Sequence, residues 1–303
     1  MTAISVYLPL SATQQDRLRR EATGYKIQFC DETAACDSPV VFGNPDVRIV
    51  MANQNLRWLQ LESVGFGEYA ALDWSRPSGT ALVSNLAGFF ADPVAETALA
   101  GVLALYRGID QLGDLRRRAE WIGDPVRAGL RLLTGAKVAL FGRGAINARL
   151  KQLLTPFGCT VVTFGSDWIE ADLEAALANS DIIVATVPDT PSTRGLFDAR
   201  RFSQMKPGSV FCNLGRGSLV KETALATALN SGQLSGAVID VTHDEPLPAG
   251  HPFWITPNTI LTQHSGGGTS DEIDRKINTF LTNLSLFRSG KPPLGLVDFT
   301  KGY

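Results

Sequence analysis

The sequence predicts an α/β protein made of two parallel-sheet halves with a cleft between them, and three observations carry that prediction. Short apolar runs alternate with amphipathic stretches in two successive series, the signature of strands joined by helical crossovers. A long apolar helix opening at Asp92-Pro93 separates the series. The second series starts with an apolar strand that runs into a glycine turn, Gly142-Arg143-Gly144.

In the first series, Ile4 to Leu8 reads as a strand, and Ser11 is the N-cap of a helix through Glu21. Lys26 to Cys30, Val40 to Phe42, Val47 to Met51, Trp58 to Leu61 and Ala81 to Asn85 read as further strands. The separating helix has Pro93 in its first turn and Glu96 near its positive end, and runs at least to Arg107. Residues 109–133 are Arg-rich without strand character, which suits an arm reaching a second subunit. Val138 to Phe141 opens the second series, and an amphipathic helix to about Phe157 follows the glycine turn. Thr160 to Phe164, Asp181 to Val187, Ser209 to Asn213, Gly236 to Asp240 and Thr259 to Thr262 read as its remaining strands. Helices fall at Ile169 to Asn179 and Lys221 to Ser231. Asp271 to Ser289 is a helix that returns the chain to the first half. The expected domains are therefore 1–96 with 272–303, and 97–271, each Rossmann-like and the first flavodoxin-like.

Composition narrows the function classes. With 28 basic and 30 acidic residues the net charge is −2, so no basic stripe points to nucleic acid. The 44% hydrophobic content fills two cores, and the apolar N-terminal run is too short to span a bilayer. Cys30, Cys36, Cys159 and Cys212 have neither metal-ligand nor disulfide-framework spacing. No metal, no membrane and a cytoplasmic location are the expectations.

Gly142-x-Gly144 alone is a weak signal, since paired glycines are common in turns. Its place between a strand and a helix makes it a cradle for a dinucleotide pyrophosphate, with Gly142, Arg143, Gly144, Ala145 and Ile146 at the helix N-terminus. Two departures stand out. Asn147 occupies the third glycine position, and Gly165 replaces the acid expected at the end of the second strand. Asp167, two residues on, is placed to take that acid's part. Gly165-Ser166-Asp167-Trp168 supplies no cation for a 2′-phosphate, which favours NAD over NADP.

Three further stretches carry reactive groups: Cys212 to Gly217 around Arg216, Asp240 to Pro248 around Glu245, and Leu261 to Gly267 around His264. A fixed cation, an acid and a proton carrier suit reduction of a 2-keto acid by a hydride donor. Singly, each has a bland explanation: an ion pair, a solvated loop glutamate, an exposed histidine.

In this order and context the chain resembles the D-2-hydroxyacid dehydrogenases, NAD(P)-dependent enzymes that reduce 2-keto acids to D-hydroxy acids. The resemblance also rests on Leu133-Thr134-Gly135, on Val187-Pro188 with Thr190 to Leu196, on Met205-Lys206-Pro207-Gly208, and on the tail Asn283 to Tyr303. It implies that Arg216 binds the substrate carboxylate and keto oxygen and that His264 donates a proton. Glu245 would favour the protonated form of His264, and Asp240 would bind the nicotinamide carboxamide. The resemblance also places Val64, Gly65, Asn85, Arg216 and His264 against substrate. Against the cofactor it places the glycine turn with Gly165, Ser166, Val187, Pro188, Thr193, Leu214, Gly215, Arg216, Asp240, His264 and Gly266. A homodimer is implied as well, with Trp121 on its arm.

Departures from the family pattern are Gln263, where proline usually precedes the histidine, Gly215 for alanine, and Thr97 for histidine. Phe66, Phe89, Phe90 and Trp254 are candidates for a pocket that favours a compact or apolar 2-keto acid, with glyoxylate, hydroxypyruvate and larger acids all open. Family co-repressors keep the same fold and triad, so a cofactor-sensing protein without turnover is the alternative. The phosphite-oxidising branch is disfavoured, because Val64 stands at its substrate-loop lysine. A formate-type enzyme would need further loop residues that are missing here.

Overall fold

The computed structural model describes residues 2–31 and 33–299, in two compact units: Met1–Phe89 with Thr269–Tyr303, and Phe90–Gly268. The last four residues of the expected tail, 300–303, lie outside the described residues.

The first unit holds β1 (Thr2–Val6), α1 (Ala12–Glu21), β2 (Tyr25–Phe29), β3 (Val40–Phe42), α2 (Val47–Ala52), β4 (Trp58–Gln60) and β5 (Leu82–Ser84). Its sheet is parallel throughout, in the order β2-β1-β3-β4-β5, which is the flavodoxin-like order. Ser11 caps α1 through a capping box with Gln14. Val47 to Met51 is helix α2 and not the expected strand. Asp46 takes the backbone N–H of Arg48 at 2.8 Å, and that cap outweighs the strand preference of the β-branched run.

The second unit opens with α3 (Ala91–Tyr106), α4 (Ile109–Arg117) and α5 (Asp124–Ala128), so the Arg-rich arm is helical. Then come β6 (Lys137–Phe141), α6 (Ala145–Leu154), β7 (Thr160–Phe164), α7 (Glu170–Asn179), β8 (Ile182–Ala185) and α8 (Ala199–Gln204). After them follow β9 (Ser209–Asn213), α9 (Glu222–Asn230), β10 (Leu234–Ile239) and β11 (Thr259–Leu261). The six strands are parallel in the order β11-β10-β9-β8-β6-β7. One face packs on α3 and α6 through Val94, Ala98, Val102 and Leu150, the other on α7, α8 and α9 through Leu173, Phe202 and Leu225. At Gly101 a Cβ would stand 2.7 Å from Val238, so glycine lets α3 lie directly on β10. Because Val94 and Ala95 already belong to this core, the units divide at 89/90 and 268/269, where the sequence suggested 96/97 and 271/272.

α10 (Glu272–Arg288) belongs to the first unit. Phe280 stacks on Phe42 at 4.4 Å and on Trp58 at 5.4 Å. Beside it, Asn283 and Ser84 both donate to the buried amide oxygen of Gln60, at 2.7 and 2.8 Å. The chain then pairs antiparallel with β5 at Leu296 and covers that sheet edge. Among the described residues no helix is long and apolar enough to cross a membrane.

Candidate active site

The reactive groups of the second unit sit at the carboxyl ends of its strands. Strand order reverses between β6 and β8, the crevice where open α/β sheets bind ligands. Gly142 leaves β6 at φ +115°, and a Cβ there would stand 2.9 Å from Thr186 Oγ1. Gly144 begins α6 with no side-chain cap and open space around it. The first N–H groups of α6, at Ala145 and Ile146, are thus available to an anion, and the turn fits a pyrophosphate. Asn147 explains its own departure. It is buried, and its amide donates to the carbonyls of Phe141 and Gly142 at 3.0 and 2.8 Å, tying the turn where a third glycine would leave a gap.

At the end of β7, Gly165 is buried and Ser166 exposed. Asp167 accepts both of its contacts from Arg143 Nη1, at 2.7 and 2.9 Å. That guanidinium, with a bond from its own backbone N–H, holds the Asp167 carboxyl below its ordinary value. Beyond β8, Val187 is buried and Pro188 exposed. Thr193 is also buried, and its hydroxyl donates to the carbonyl of Pro188 at 2.6 Å while accepting from Thr190 N–H at 2.9 Å. Its side chain therefore holds the loop from within.

Asn213 closes β9 and shapes the next turn, donating to the carbonyl of Arg216 at 3.0 Å and accepting from Gly215 N–H at 3.3 Å. Leu214 is buried and Arg216 exposed. A Cβ on Gly215 would stand 2.8 Å from the carbonyl oxygen of Val187, so glycine suits this chain where alanine is usual.

His264 is set by Asp240. The backbone carbonyl of Asp240 accepts His264 N–H at 2.6 Å, and its Oδ1 accepts Thr262 Oγ1 at 2.6 Å and Gly266 N–H at 2.9 Å. Thr97 on α3 adds a bond to the carbonyl of Gly266 at 3.0 Å. The turn carries Gln263 at φ +53° and His264 at φ +54°. Two non-glycine residues in the left-handed region cost about 1 kcal/mol or more each, strain that tends to collect at functional sites. Proline, fixed near −65°, has no access to the Gln263 conformation. The departure at 263 thus changes the backbone that presents the histidine.

Glu245 Oε2 lies 2.6 Å from His264 Nδ1, and its Oε1 accepts Thr242 N–H at 2.9 Å. Burial alone would raise the Glu245 carboxyl. The bonds from His264 and Thr242 and the charges of His264 and Arg216 outweigh it, leaving the carboxyl below its ordinary value. With Nδ1 committed, Nε2 is the ring atom left to exchange a proton. A cavity of about 470 Å³ adjoins the pair, lined by Glu245, Leu247, Trp254, Leu261, Gln263 and His264.

In the first unit, Asn85 donates to the carbonyl of Val64 at 2.7 Å, and Ser63 Oγ donates to that of Gly65 at 2.7 Å. The N–H groups of Val64 and Gly65 have no partner among the described residues. Of the aromatic candidates, Trp254 lines the cavity, whereas Phe66 is buried edge-on to Phe299 in the core. Phe89 lies under the Arg275 guanidinium, and Phe90 packs against the second core. Sequence reasoning missed the supporting contacts of Asn147 and Asn213, made within their own turns, and the whole part played by Glu222, whose partners His243 and His251 are 21 and 29 residues away.

The NAD binding domain of the D-isomer specific 2-hydroxyacid dehydrogenases matches residues 99–266. An uncharacterised protein of Corynebacterium melassecola is 32% identical over 241 residues, 73% of this chain and 75% of that one. The glyoxylate/hydroxypyruvate reductase A of Serratia proteamaculans is 28% identical over 80% of each chain. The crystal structure of a D-isomer specific 2-hydroxyacid dehydrogenase family protein from Aeromonas salmonicida superposes with a TM-score of 0.80. It is 26% identical and covers 98% of this chain and 99% of its own. A family match over more than half of the chain, on the fold and loops just described, makes this protein a member of the D-isomer specific 2-hydroxyacid dehydrogenases, NAD(P)-dependent oxidoreductases.

Proposed function

We propose that the protein reduces a small 2-keto acid to the D-2-hydroxy acid with NADH, using His264 as proton donor. The observation that carries this reading is the 2.6 Å contact between His264 Nδ1 and Glu245, which leaves Nε2 to hand over a proton. When bound, the nicotinamide cofactor supplies a hydride to the carbonyl carbon. As negative charge builds on the keto oxygen, His264 Nε2 delivers a proton to it, and Glu245 stabilises the imidazolium beforehand. Arg216, permanently charged, fixes the substrate carboxylate and keto oxygen. The free N–H groups of Val64 and Gly65, on the loop steadied by Asn85, are further carboxylate donors. The Gly142 to Ile146 turn and the Gly165, Ser166, Val187, Pro188, Leu214, Gly215 and Gly266 backbones cradle the cofactor, with Asp240 at the carboxamide. Thr193 contributes by holding its loop.

The preference for NADH rests on Asp167. Its carboxylate accepts a ribose hydroxyl and repels a 2′-phosphate, while its hold on Arg143 withholds the nearest cation. The Serratia relative's name points to glyoxylate or hydroxypyruvate as substrate. The half-exposed Trp254 and the apolar wall beside it also suit larger apolar 2-keto acids. The co-repressor-like reading is not favoured, given relatives named as reductases. A homodimer, paired through the arm, is supported by its exposed apolar side chains: Trp121 is 97% exposed and Leu132 69%. Four free cysteines suit a reducing cytoplasm.

The test is oxidation of NADH and NADPH against a panel of 2-keto acids, with His264→Ala beside the wild type. Turnover lost in the variant, with cofactor binding kept, is the expected result. Binding without turnover on any acid would overturn the proposal.

A further inference from the structure

Two carboxylates, not one, hold the loop that carries Glu245. Glu245 takes the N–H of Thr242, and the next N–H, of His243, goes to Glu222 Oε1 at 2.8 Å. Glu222 stands in the first turn of α9, where a glutamate is ordinarily read as a partner of the helix dipole. Its second oxygen, Oε2, meets His251 Nε2 at 3.2 Å. The other ring nitrogen of His251, Nδ1, accepts the N–H of Phe253 at 3.3 Å. A ring that accepts at Nδ1 carries its proton on Nε2, so His251 is neutral and donates to Glu222. Both side chains are mostly buried, 19% and 17% exposed.

Glu222 therefore grips both ends of the segment from His243 to His251, and Glu245 lies between the two grips. The same carboxylate belongs to the stretch that begins at Arg216. There Gly217 packs so closely on Thr242 that a Cβ would overlap its carbonyl. We propose that Glu222, clamped by His251, is a positioning residue for the reaction. It holds the Glu245 loop so that the carboxylate meets His264 Nδ1, without itself touching the histidine. This rests on the reading of His264 as proton donor. Loss of the clamp frees the loop, and loosening of a supporting contact of this kind costs about 10- to 100-fold in activity.

The experiment compares Glu222→Ala, His251→Ala and His251→Gln with His264→Ala in the intact enzyme. It reads kcat, KM for a 2-keto acid the wild type reduces, the pH profile, NADH affinity by fluorescence, and melting temperature. Glu222→Ala should lower kcat about tenfold or more, with NADH affinity and KM within about threefold of wild type. The alkaline limb of kcat/KM should move to lower pH, because the imidazolium loses its ordered anionic partner. His251→Ala should shift the same quantities in the same direction. His251→Gln, which can donate through Nε2 and accept through Oε1, should restore most of the loss. If Glu222→Ala does not accumulate as folded protein, the two His251 variants carry the test. The proposal is overturned if kcat of the folded Glu222→Ala stays within about twofold of wild type. It is overturned equally if the loss leaves the pH profile unmoved or if His251→Gln is no better than His251→Ala. Activity surviving in His264→Ala would instead remove the underlying proton-donor reading, and the two failures are read from different variants.

Discussion

Gly217→Ala tests whether the Arg216 and Glu245 segments work as one rigid piece. A Cβ at 217 would stand 1.9 Å from the carbonyl oxygen of Thr242, 2.0 Å from its carbon and 2.4 Å from His243 N. All three are backbone atoms, so no side chain can swing aside. Real Cβ contacts essentially never fall below 3.0 Å, so the two segments must part by about 1 Å. The lines of retreat are blocked by the bonds that hold Thr242 to Glu245 and His243 to Glu222. A misplacement of about 1 Å between catalytic groups costs on the order of 100-fold in rate, or about 2.7 kcal/mol of transition-state stabilisation. Forcing a methyl group into a packed site adds about 1–3 kcal/mol of destabilisation. The assay is kcat/KM at saturating NADH, with NADH affinity and a thermal melt beside it. Gly250→Ala serves as control, because nothing lies within 4 Å of its Cβ position. The expected result is a loss of about two decades in kcat/KM with NADH affinity nearly unchanged. A kcat/KM within about threefold of wild type, at an unchanged melting temperature, would refute the argument that this contact sets the geometry.

Four other outcomes follow from the same structure. Asp167→Ser frees Arg143 and removes a like charge from the 2′-position. The ratio of NADPH to NADH affinity, measured by fluorescence titration, should rise about tenfold or more, and an unchanged ratio would remove Asp167 from cofactor choice. Gln263→Gly should raise stability by roughly 1 kcal/mol in urea melts by relieving φ +53°, whereas Gln263→Pro, although it restores the family's usual residue, should destabilise the His264 turn and lower kcat. Cys212 is fully buried and burial pushes its thiol up to about 12, so a thiol reagent at pH 8 should leave it unlabelled until the protein is denatured, which labelling by mass spectrometry would check. Phe280→Ala removes a fully buried ring from between Phe42 and Trp58 and should cost about 3–5 kcal/mol, read as loss of the first unit in hydrogen exchange before the second unit opens.

Much of this molecule was legible because its signals are short-range. The alternation of apolar and amphipathic stretches places each of the eleven strands of the described residues close to its observed bounds, and Ser11, Pro93 and the Gly142 turn mark helix starts by chemistry that lies within a few residues. Val47 to Met51 shows the weakness of that reasoning. Its β-branched residues fit a strand, yet one aspartate at 46 is enough to start a helix, and no periodicity is long enough there to decide. The reactive residues were legible for another reason: Arg216, Glu245 and His264 each sit in a distinctive context, although only the folded chain brings Glu245 to 2.6 Å of His264 across nineteen residues. What escaped the sequence is the support beneath them. Asn147, Gly215 and Gln263 register in the sequence only as departures, and each proves to be fitted to its surroundings: an amide bonding two carbonyls, a missing Cβ beside Val187, a left-handed turn closed to proline. Glu222 leaves no trace in spacing at all, since its partners stand 21 and 29 residues away. A proton donor can be named from its motif, but its aim is set by carboxylates and glycines whose roles exist only once distant loops have met, so substitutions at those supporting positions should alter the reaction while leaving every named reactive group in place.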